Sequence, residues 1–111
     1  MNSHLIFLDF WELWCSPCKK SLPTIEKIAD SYKSSGLIVF GVISDTVKAN
    51  EYVRKNNITL NQVVGNEELN SILMIDSYPR YILIDREGLI QNIFYGYSDN
   101  LELEINRLLF N

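Results

Sequence analysis

Short apolar runs alternate with amphipathic stretches along this chain of 111 residues. Two nearly continuous apolar runs, Leu5–Phe10 and Leu37–Ile43, predict strands that are buried on both faces of a sheet. After Trp14 the apolar positions follow helical spacing, which predicts a helix that ends at Gly36. Pro23 lies inside this helix and predicts a kink, because proline removes a backbone hydrogen bond.

The rest of the chain predicts six further elements. They are a helix from a Ser44 or Asp45 cap to about Lys55, a strand over 58–64, a helix over 66–74, a hairpin of strands over 81–84 and 89–95, and a last helix capped by Ser98 or Asp99. Leu69, Ile72 and Leu73 are expected to face inward from the short helix. This order predicts an α/β fold of one domain over 1–111, with a mixed sheet and helices on both faces.

The composition excludes several classes of protein. Apolar types make up 47% of the chain, which argues against disorder. The net charge of −4 lacks the basic footprint of a nucleic-acid binder, so no nucleic-acid partner is expected. The longest apolar run is far shorter than the roughly 20 residues of a membrane-spanning helix, and no signal-peptide pattern is present.

The two cysteines, Cys15 and Cys18, stand in a single C-x-x-C motif. A structural zinc site would have to recruit His4 and an acid as well, and a cluster held by four thiolates is impossible within this chain. Covalent haem attachment needs a histidine where Lys19 stands. A purely structural disulfide would gain little from closing so small a loop. We therefore expect no metal and no cofactor, and the motif indicates a redox pair.

The motif lies where a predicted strand gives way to a helix. Cys15 would then stand near the helix N-terminus, whose free N–H groups and dipole stabilise a thiolate. Cys18 lies one turn further on, within reach of a disulfide, and Pro17 suits the first turn. This placement predicts an exposed, attacking Cys15 and a buried, resolving Cys18.

Two acids precede the cysteines. Asp9 lies inside an apolar strand, where burial would raise its pKa, and we interpret it as the proton acceptor for Cys18. The alternative is an Asp that is hydrogen-bonded near the sheet end. Glu12 is expected to be more exposed, where it either tunes the thiols or is simply solvated.

The segment from Asp9 to Lys19, D-F-W-E-L-W-C-S-P-C-K, resembles the active-site segment of the thioredoxin superfamily. The pair Tyr78-Pro79 resembles the cis-proline loop of that superfamily. An added helix and strand over 44–64, together with Pro23 and the segment 83–88, resemble the TlpA/ResA-like branch of thiol-disulfide oxidoreductases.

The resemblance implies a role for each matching residue. Cys15 would be the nucleophile and Cys18 the resolving thiol. The implied substrate-binding residues are Trp14, Ser16, Pro17, Tyr78 and a cis Pro79, with the Tyr78 backbone pairing with an extended peptide.

The sequence also departs from the family pattern. Plain thioredoxins have a lysine near the buried acid on the next strand, and Gly41 stands at that point, so Asp9 is expected to lack its charge partner. Arg80 replaces a small polar residue after Pro79 and is expected to add positive charge near the thiols as a tuning residue. The chain begins directly on the strand at Leu5, which implies a reduced N-terminus for this fold.

The combined interpretation is an enzyme that exchanges disulfides with protein substrates through W-C-S-P-C, most naturally as a reductase. The resemblance implies a location in the periplasm or cell envelope, with the cytoplasm as the alternative, and a redox partner protein. We expect the protein to be a monomer. One alternative is a redox-inactive, peptide-binding module of the same fold, which the intact C-x-x-C disfavours. A thiol peroxidase is the other alternative, and the stretch Glu12-Leu13-Trp14 lacks the threonine that it needs.

Overall fold

Five strands form one mixed sheet in the computed structural model, which describes residues 4–110. The strands are β1 (Leu5–Phe10), β2 (Leu37–Ile43), β3 (Asn61–Val64), β4 (Arg80–Ile84) and β5 (Ile90–Phe94). The helices of this part of the chain are α1 (Ser16–Tyr32), α2 (Thr46–Lys55), α3 (Glu67–Ile72) and α4 (Asn100–Phe110), with a short 3-10 helix over Lys33–Ser35. The strand order is β3-β2-β1-β4-β5. Strands β1, β2 and β3 are parallel, whereas β4 is antiparallel to both β1 and β5.

The predicted helix boundaries follow local signals. Asp45 caps α2 by accepting a hydrogen bond from the Lys48 N–H at 3.0 Å. Gly36 takes the left-handed conformation, with φ 106°, at the point where α1 and the 3-10 helix give way to β2. Helix α1 continues through Pro23 to Tyr32.

Two predictions around β3 and α3 are wrong in detail. The strand begins at Asn61 rather than at residue 58. Helix α3 ends at Ile72, and Leu69 and Ile72 are exposed, at 40% and 71% of their surface. Only Leu73, at the end of α3, packs against the sheet. The apolar spacing predicted a helix correctly, but spacing alone does not say whether a core lies beneath each residue.

The two faces of the sheet are covered unequally. Helices α1, α2 and α4 all bury their apolar residues in one cluster on what we call the helix-covered face. The opposite face, here called the open face, has a smaller buried cluster of Phe10, Val42 and Ile82. The end of α3 and residues 73–78 cover it in part. Helices therefore lie on both faces, as expected, but the open face has only the short helix α3 among the residues described. Because side chains alternate along β1, Asp9 lies on the helix-covered face.

Candidate active site

The Cys15–Cys18 pair lies at the junction between β1 and α1. Cys15 is the N-cap residue of α1, with an extended backbone, and its sulfur accepts a hydrogen bond from the Cys18 N–H at 3.3 Å. The two cysteines form a disulfide, and their Cα atoms are 5.3 Å apart. Since the same N–H group and the helix dipole stabilise a sulfur anion, this position favours a Cys15 thiolate once the disulfide is reduced.

The expected exposure of Cys15 is wrong for the disulfide form. Cys15 is 4% exposed and Cys18 is 1% exposed. The disulfide holds the Cys15 sulfur against the first turn of α1, which leaves little of it accessible. Cys15 is nevertheless more exposed than Cys18, as predicted.

An aromatic pair brings the two sequence motifs together. The Trp14 ring is 74% exposed and meets the Tyr78 ring edge-on, with centroids 5.7 Å apart. The bond between Tyr78 and the buried Pro79 is cis, as the resemblance implies. Ser16 and Pro17 are exposed on the first turn of α1. Of the residues expected to bind substrate, Trp14, Ser16 and Pro17 are therefore accessible next to the disulfide.

Asp9 is buried without a charge partner. It is 1% exposed, and its Oδ1 atom makes no hydrogen bond within the described part of the chain. Burial raises the pKa of Asp9 from 3.8 to about 8. Its partner on β2 is Gly41, as the sequence predicted, and its partner on β4 is Tyr81. Asp9 thus has the burial and the pKa of a group that exchanges a proton near neutral pH.

Glu12 lies between the cysteine motif and the loop after β2. Its carboxylate accepts a hydrogen bond from the Ser44 hydroxyl at 2.8 Å. Glu12 and Tyr78 line the same small cavity, and burial and then the negative charge of Glu12 raise the pKa of Tyr78.

The structure corrects the expected position of Arg80. Its side chain is 2% exposed and donates hydrogen bonds to the Met74 carbonyl at 2.9 Å, to Asp76 at 2.8 Å and to Ser77 at 2.9 Å. The guanidinium also stacks on the Tyr95 ring, 4.3 Å from its centroid. Strand alternation directs Arg80 to the open face, away from the face that carries Asp9, and its charge is paired there with Asp76.

Sequence reasoning missed three polar side chains on the helix-covered face, those of Trp11, Gln62 and Tyr81. The fully buried Trp11 donates its indole N–H to the Gln62 side-chain oxygen at 2.8 Å. The fully buried Tyr81 has a hydroxyl group that makes no hydrogen bond with any described residue. Gln62, a polar residue within a predicted strand, was the signal that the sequence offered for such a contact. The sequence could not say which groups it meets, because the neighbours of a strand residue depend on strand register.

Residues 4–110 contain no group of three or more His, Cys, Asp or Glu side chains that could hold a metal ion. None of the helices described here is long and apolar enough to cross a membrane.

The model of the AhpC/TSA family matches residues 2–93, which is most of the chain. The chain belongs to the AhpC/TSA family. Within it, the chain is similar to the thioredoxin-like protein YneN of Bacillus subtilis, with 27% identity over 103 residues. It is also 26% identical over 105 residues to the thiol-disulfide oxidoreductase ResA of Bacillus anthracis. These matches cover 89% of this chain but only 61% and 59% of the relatives, so the chain spans about three-fifths of their length.

Solved structures show the same fold. The thioredoxin domain of a thiol-disulfide oxidoreductase from Bacteroides vulgatus aligns with a TM-score of 0.85 at 24% identity, covering 96% of this chain and 80% of that one. A thiol-disulfide isomerase from Corynebacterium glutamicum aligns with a TM-score of 0.86 at 20% identity, covering 99% and 83%. The thioredoxin-like fold and the ResA-like resemblance predicted from the residues are thus confirmed.

Proposed function

We propose that this chain is a protein thiol-disulfide oxidoreductase in which Cys15 attacks and Cys18 resolves. The observation that carries the proposal is the disulfide at the N-cap of α1, beside the cis Tyr78–Pro79 bond. The ResA relatives bear the same activity in their names, which supports the assignment.

The exchange starts from the reduced pair. The Cys15 thiolate attacks one sulfur of a substrate disulfide, forms a mixed disulfide and expels a substrate thiolate, which takes up a proton from water. Cys18 then gives its proton to the Asp9 carboxylate and attacks the Cys15 sulfur. The second substrate thiolate leaves, the Cys15–Cys18 disulfide forms, and two electrons have passed to the substrate. A redox partner protein returns two electrons for the next cycle.

The exposed surface around the disulfide is proposed to bind an extended peptide. Trp14 and Tyr78 supply aromatic contacts, Ser16 and Pro17 line the first turn, and the Tyr78 backbone pairs with the substrate strand before Pro79. Glu12 is proposed to tune the site through its charge beside Tyr78, whereas Arg80, whose charge is paired with Asp76, is proposed to hold residues 74–77 without tuning the thiols.

Trapping tests the two cysteine roles. Cys18→Ser is expected to accumulate mixed disulfides with substrate proteins through Cys15, because the resolving attack is lost. Cys15→Ser is the matched control and is expected to trap nothing. Trapping by Cys15→Ser alone would reverse the assignment, and an intact pair without insulin-disulfide reduction would favour the redox-inactive peptide-binding module.

The direction of exchange is proposed to be reductive, with the protein acting as a monomer in the cell envelope. Direction depends on the reduction potential of the pair against that of the compartment, and about 30 mV shifts this two-electron balance by about 1.4 kcal/mol. A glutathione redox titration measures that potential. A potential near that of strong oxidants would contradict the reductive direction.

A further inference from the structure

A small cavity lies beside the cis-proline loop, at the carboxyl ends of the parallel strands β1, β2 and β3. Its floor is apolar and includes Phe10 and Val42, which are buried on the open face. The polar residues that line it are Glu12, Ser44, Asn66, Glu67, Asn70 and Tyr78. Ligands of open α/β sheets commonly bind in crevices at the carboxyl ends of the strands, so the size and charge of this cavity bear on what the protein binds.

The size of the cavity limits what can enter it. Its volume is about 160 Å³. Pockets for cofactors and drug-sized ligands usually have volumes of about 300–1,000 Å³, so this cavity suits the end of a single side chain better. The substrate peptide is proposed to lie along Tyr78, which lines the cavity, and a side chain of that peptide can therefore reach it.

The charge of the cavity is negative. Glu12 and Glu67 line it, and no Lys, Arg or His of residues 4–110 does. Arg80 is paired with Asp76, and Glu12 forms no ion pair within the described part of the chain. No group of three metal-binding side chains is found among the described residues, so the cavity suits an organic cation better than a metal ion.

The carboxylate of Glu12 is held in place in this cavity. The Ser44 hydroxyl donates a hydrogen bond to its Oε1 atom at 2.8 Å. A carboxylate can accept about four hydrogen bonds, so most of its acceptor capacity remains. Because Glu12 is half-buried, its attraction for a cation is less weakened by water than that of a fully exposed acid.

A second acceptor of the cavity has no partner. The Oδ1 atom of Asn70 is buried and accepts no hydrogen bond from any residue of 4–110. It lies next to Gly65, where an added Cβ atom would come within 3.6 Å of it, and both residues line the cavity. A buried acceptor without a donor is costly. A side chain with several N–H donors would supply the missing partner once the amide turns towards it.

We propose that this cavity is a subsite for a basic side chain of the substrate, and that Glu12 determines the preference for it. Arginine suits the cavity best, because its planar guanidinium offers five N–H donors and its aliphatic part can pack on the apolar floor. The preferred substrates are then peptides with an arginine close to the target cysteine. The proposal rests on the proposed function for its consequence in exchange, whereas binding of the peptide does not depend on exchange.

Exchange with matched peptides tests this preference. Each peptide carries its cysteine as a disulfide with thionitrobenzoate, and arginine or its neutral isostere citrulline stands at each position close to the cysteine in turn. For the best position, the reduced wild type is expected to have a kcat/KM about tenfold higher with arginine, as for a hydrogen bond between charged groups. Glu12→Gln keeps an acceptor for Ser44 but loses the charge, and it is expected to bring this ratio close to one.

Glu87→Gln is the control, since it removes one negative charge from the exposed turn between β4 and β5. It is expected to keep the tenfold ratio, and an equal loss in this variant would contradict the proposal. A ratio near one in the wild type would also overturn it. If Glu12→Gln slows both peptides equally and keeps the ratio, Glu12 tunes the thiols without recognising the substrate, and the proposal is wrong. Ser44→Ala, which releases the carboxylate without removing it, serves if Glu12→Gln does not fold, and an unchanged ratio there contradicts the proposal.

A binding measurement separates this proposal from the proposed function. An NMR titration of the oxidised protein with the same peptides, in which serine replaces the cysteine, needs no exchange. Tighter binding of the arginine peptide by a protein that reduces no disulfide would keep the subsite and refute the proposed function. Exchange at equal rates with both peptides would do the reverse. A protein that neither binds nor reduces either peptide would overturn both.

Discussion

Asp9 and Arg80 are both buried charged residues, and they lie on neighbouring strands with opposite surroundings. Phe10 pairs with Arg80, and Asp9 pairs with the next residue, Tyr81, so the two side chains are one step apart and point to opposite faces. Arg80 is held by three hydrogen-bond partners and an aromatic ring. Asp9 accepts no hydrogen bond at Oδ1 from the residues described.

The difference distinguishes a buried charge that stabilises the fold from a buried acid that takes part in proton transfer. A buried charge with several partners holds the groups that bind it, as the two terminal nitrogens of Arg80 hold residues 74–77 although its Nε atom has no hydrogen-bond partner within residues 4–110. A buried carboxyl without such partners is costly to ionise, so its pKa rises into the range where protons are exchanged near neutral pH. We therefore expect Asp9 to affect chemistry and pH dependence, and Arg80 to affect stability alone.

The largest expected effect is on the stability of the oxidised protein as pH changes. Burial raises the pKa of Asp9 from 3.8 to about 8, so the folded state keeps a proton that the unfolded chain loses. The stabilisation is complete below the unfolded pKa and is lost as the pH rises towards 8, by about 1.4 kcal/mol per pH unit. Asp9→Asn is expected to remove this slope in urea unfolding measured between about pH 5 and pH 8.

The control for this slope is Asp30→Asn, which changes an exposed acid on α1 and is expected to keep the wild-type profile. A wild-type protein whose free energy of unfolding does not fall over this range would show that Asp9 is ionised in the fold.

The next effect concerns the resolving step. Asp9→Asn is expected to slow the attack of Cys18 on a Cys15 mixed disulfide about a hundredfold, because the proton acceptor is lost. In the wild type this step is expected to accelerate about tenfold between pH 7 and pH 9, as the fraction of ionised Asp9 increases. Release of thionitrobenzoate from a Cys15 adduct measures the rate. Equal slowing of the first attack by Cys15 would contradict a base role for Asp9.

Arg80→Met is expected to act on stability and not on exchange. It removes the hydrogen bonds to residues 74–77 but keeps most of the buried volume, so the free energy of unfolding should fall by about 2 kcal/mol. The slope with pH and the rate of resolution should stay as in the wild type. A changed pH profile of resolution would place the Arg80 charge in the active site after all.

The smallest expected effect is at the ring that covers the guanidinium. Tyr95→Leu removes the stacking on Arg80 and keeps an apolar side chain, so we expect a loss of about 0.5–1 kcal/mol. Urea unfolding of Tyr95→Leu in the Arg80→Met background tests the coupling, since the loss should shrink when the cation is absent. Equal losses in both backgrounds would show that the ring contributes without the cation.

Much of the fold and of the site could be predicted from local patterns. The apolar runs predict β1 and β2, Asp45 predicts the start of α2, and Gly36 predicts the end of the first helix. Each of these signals acts on residues close to it in the chain, and the structure confirms them. The burial of Asp9 also follows from its apolar strand. The exposure of Leu69 could not be predicted, because helical spacing marks one side of a helix without saying what lies beneath it.

The sequence by itself determined the strand-to-helix junction that makes Cys15 an N-cap, and the apolar strand that buries Asp9. Both depend on residues close together in the chain, so propensity and spacing are sufficient. Only the tertiary structure decided which partners these groups meet. Strand register places Gln62 above Gly41, the β2 partner of Asp9, and strand alternation directs Arg80 to Asp76 on the other face. A shift of one residue in register would exchange these neighbours, and such pairings are set by long-range packing.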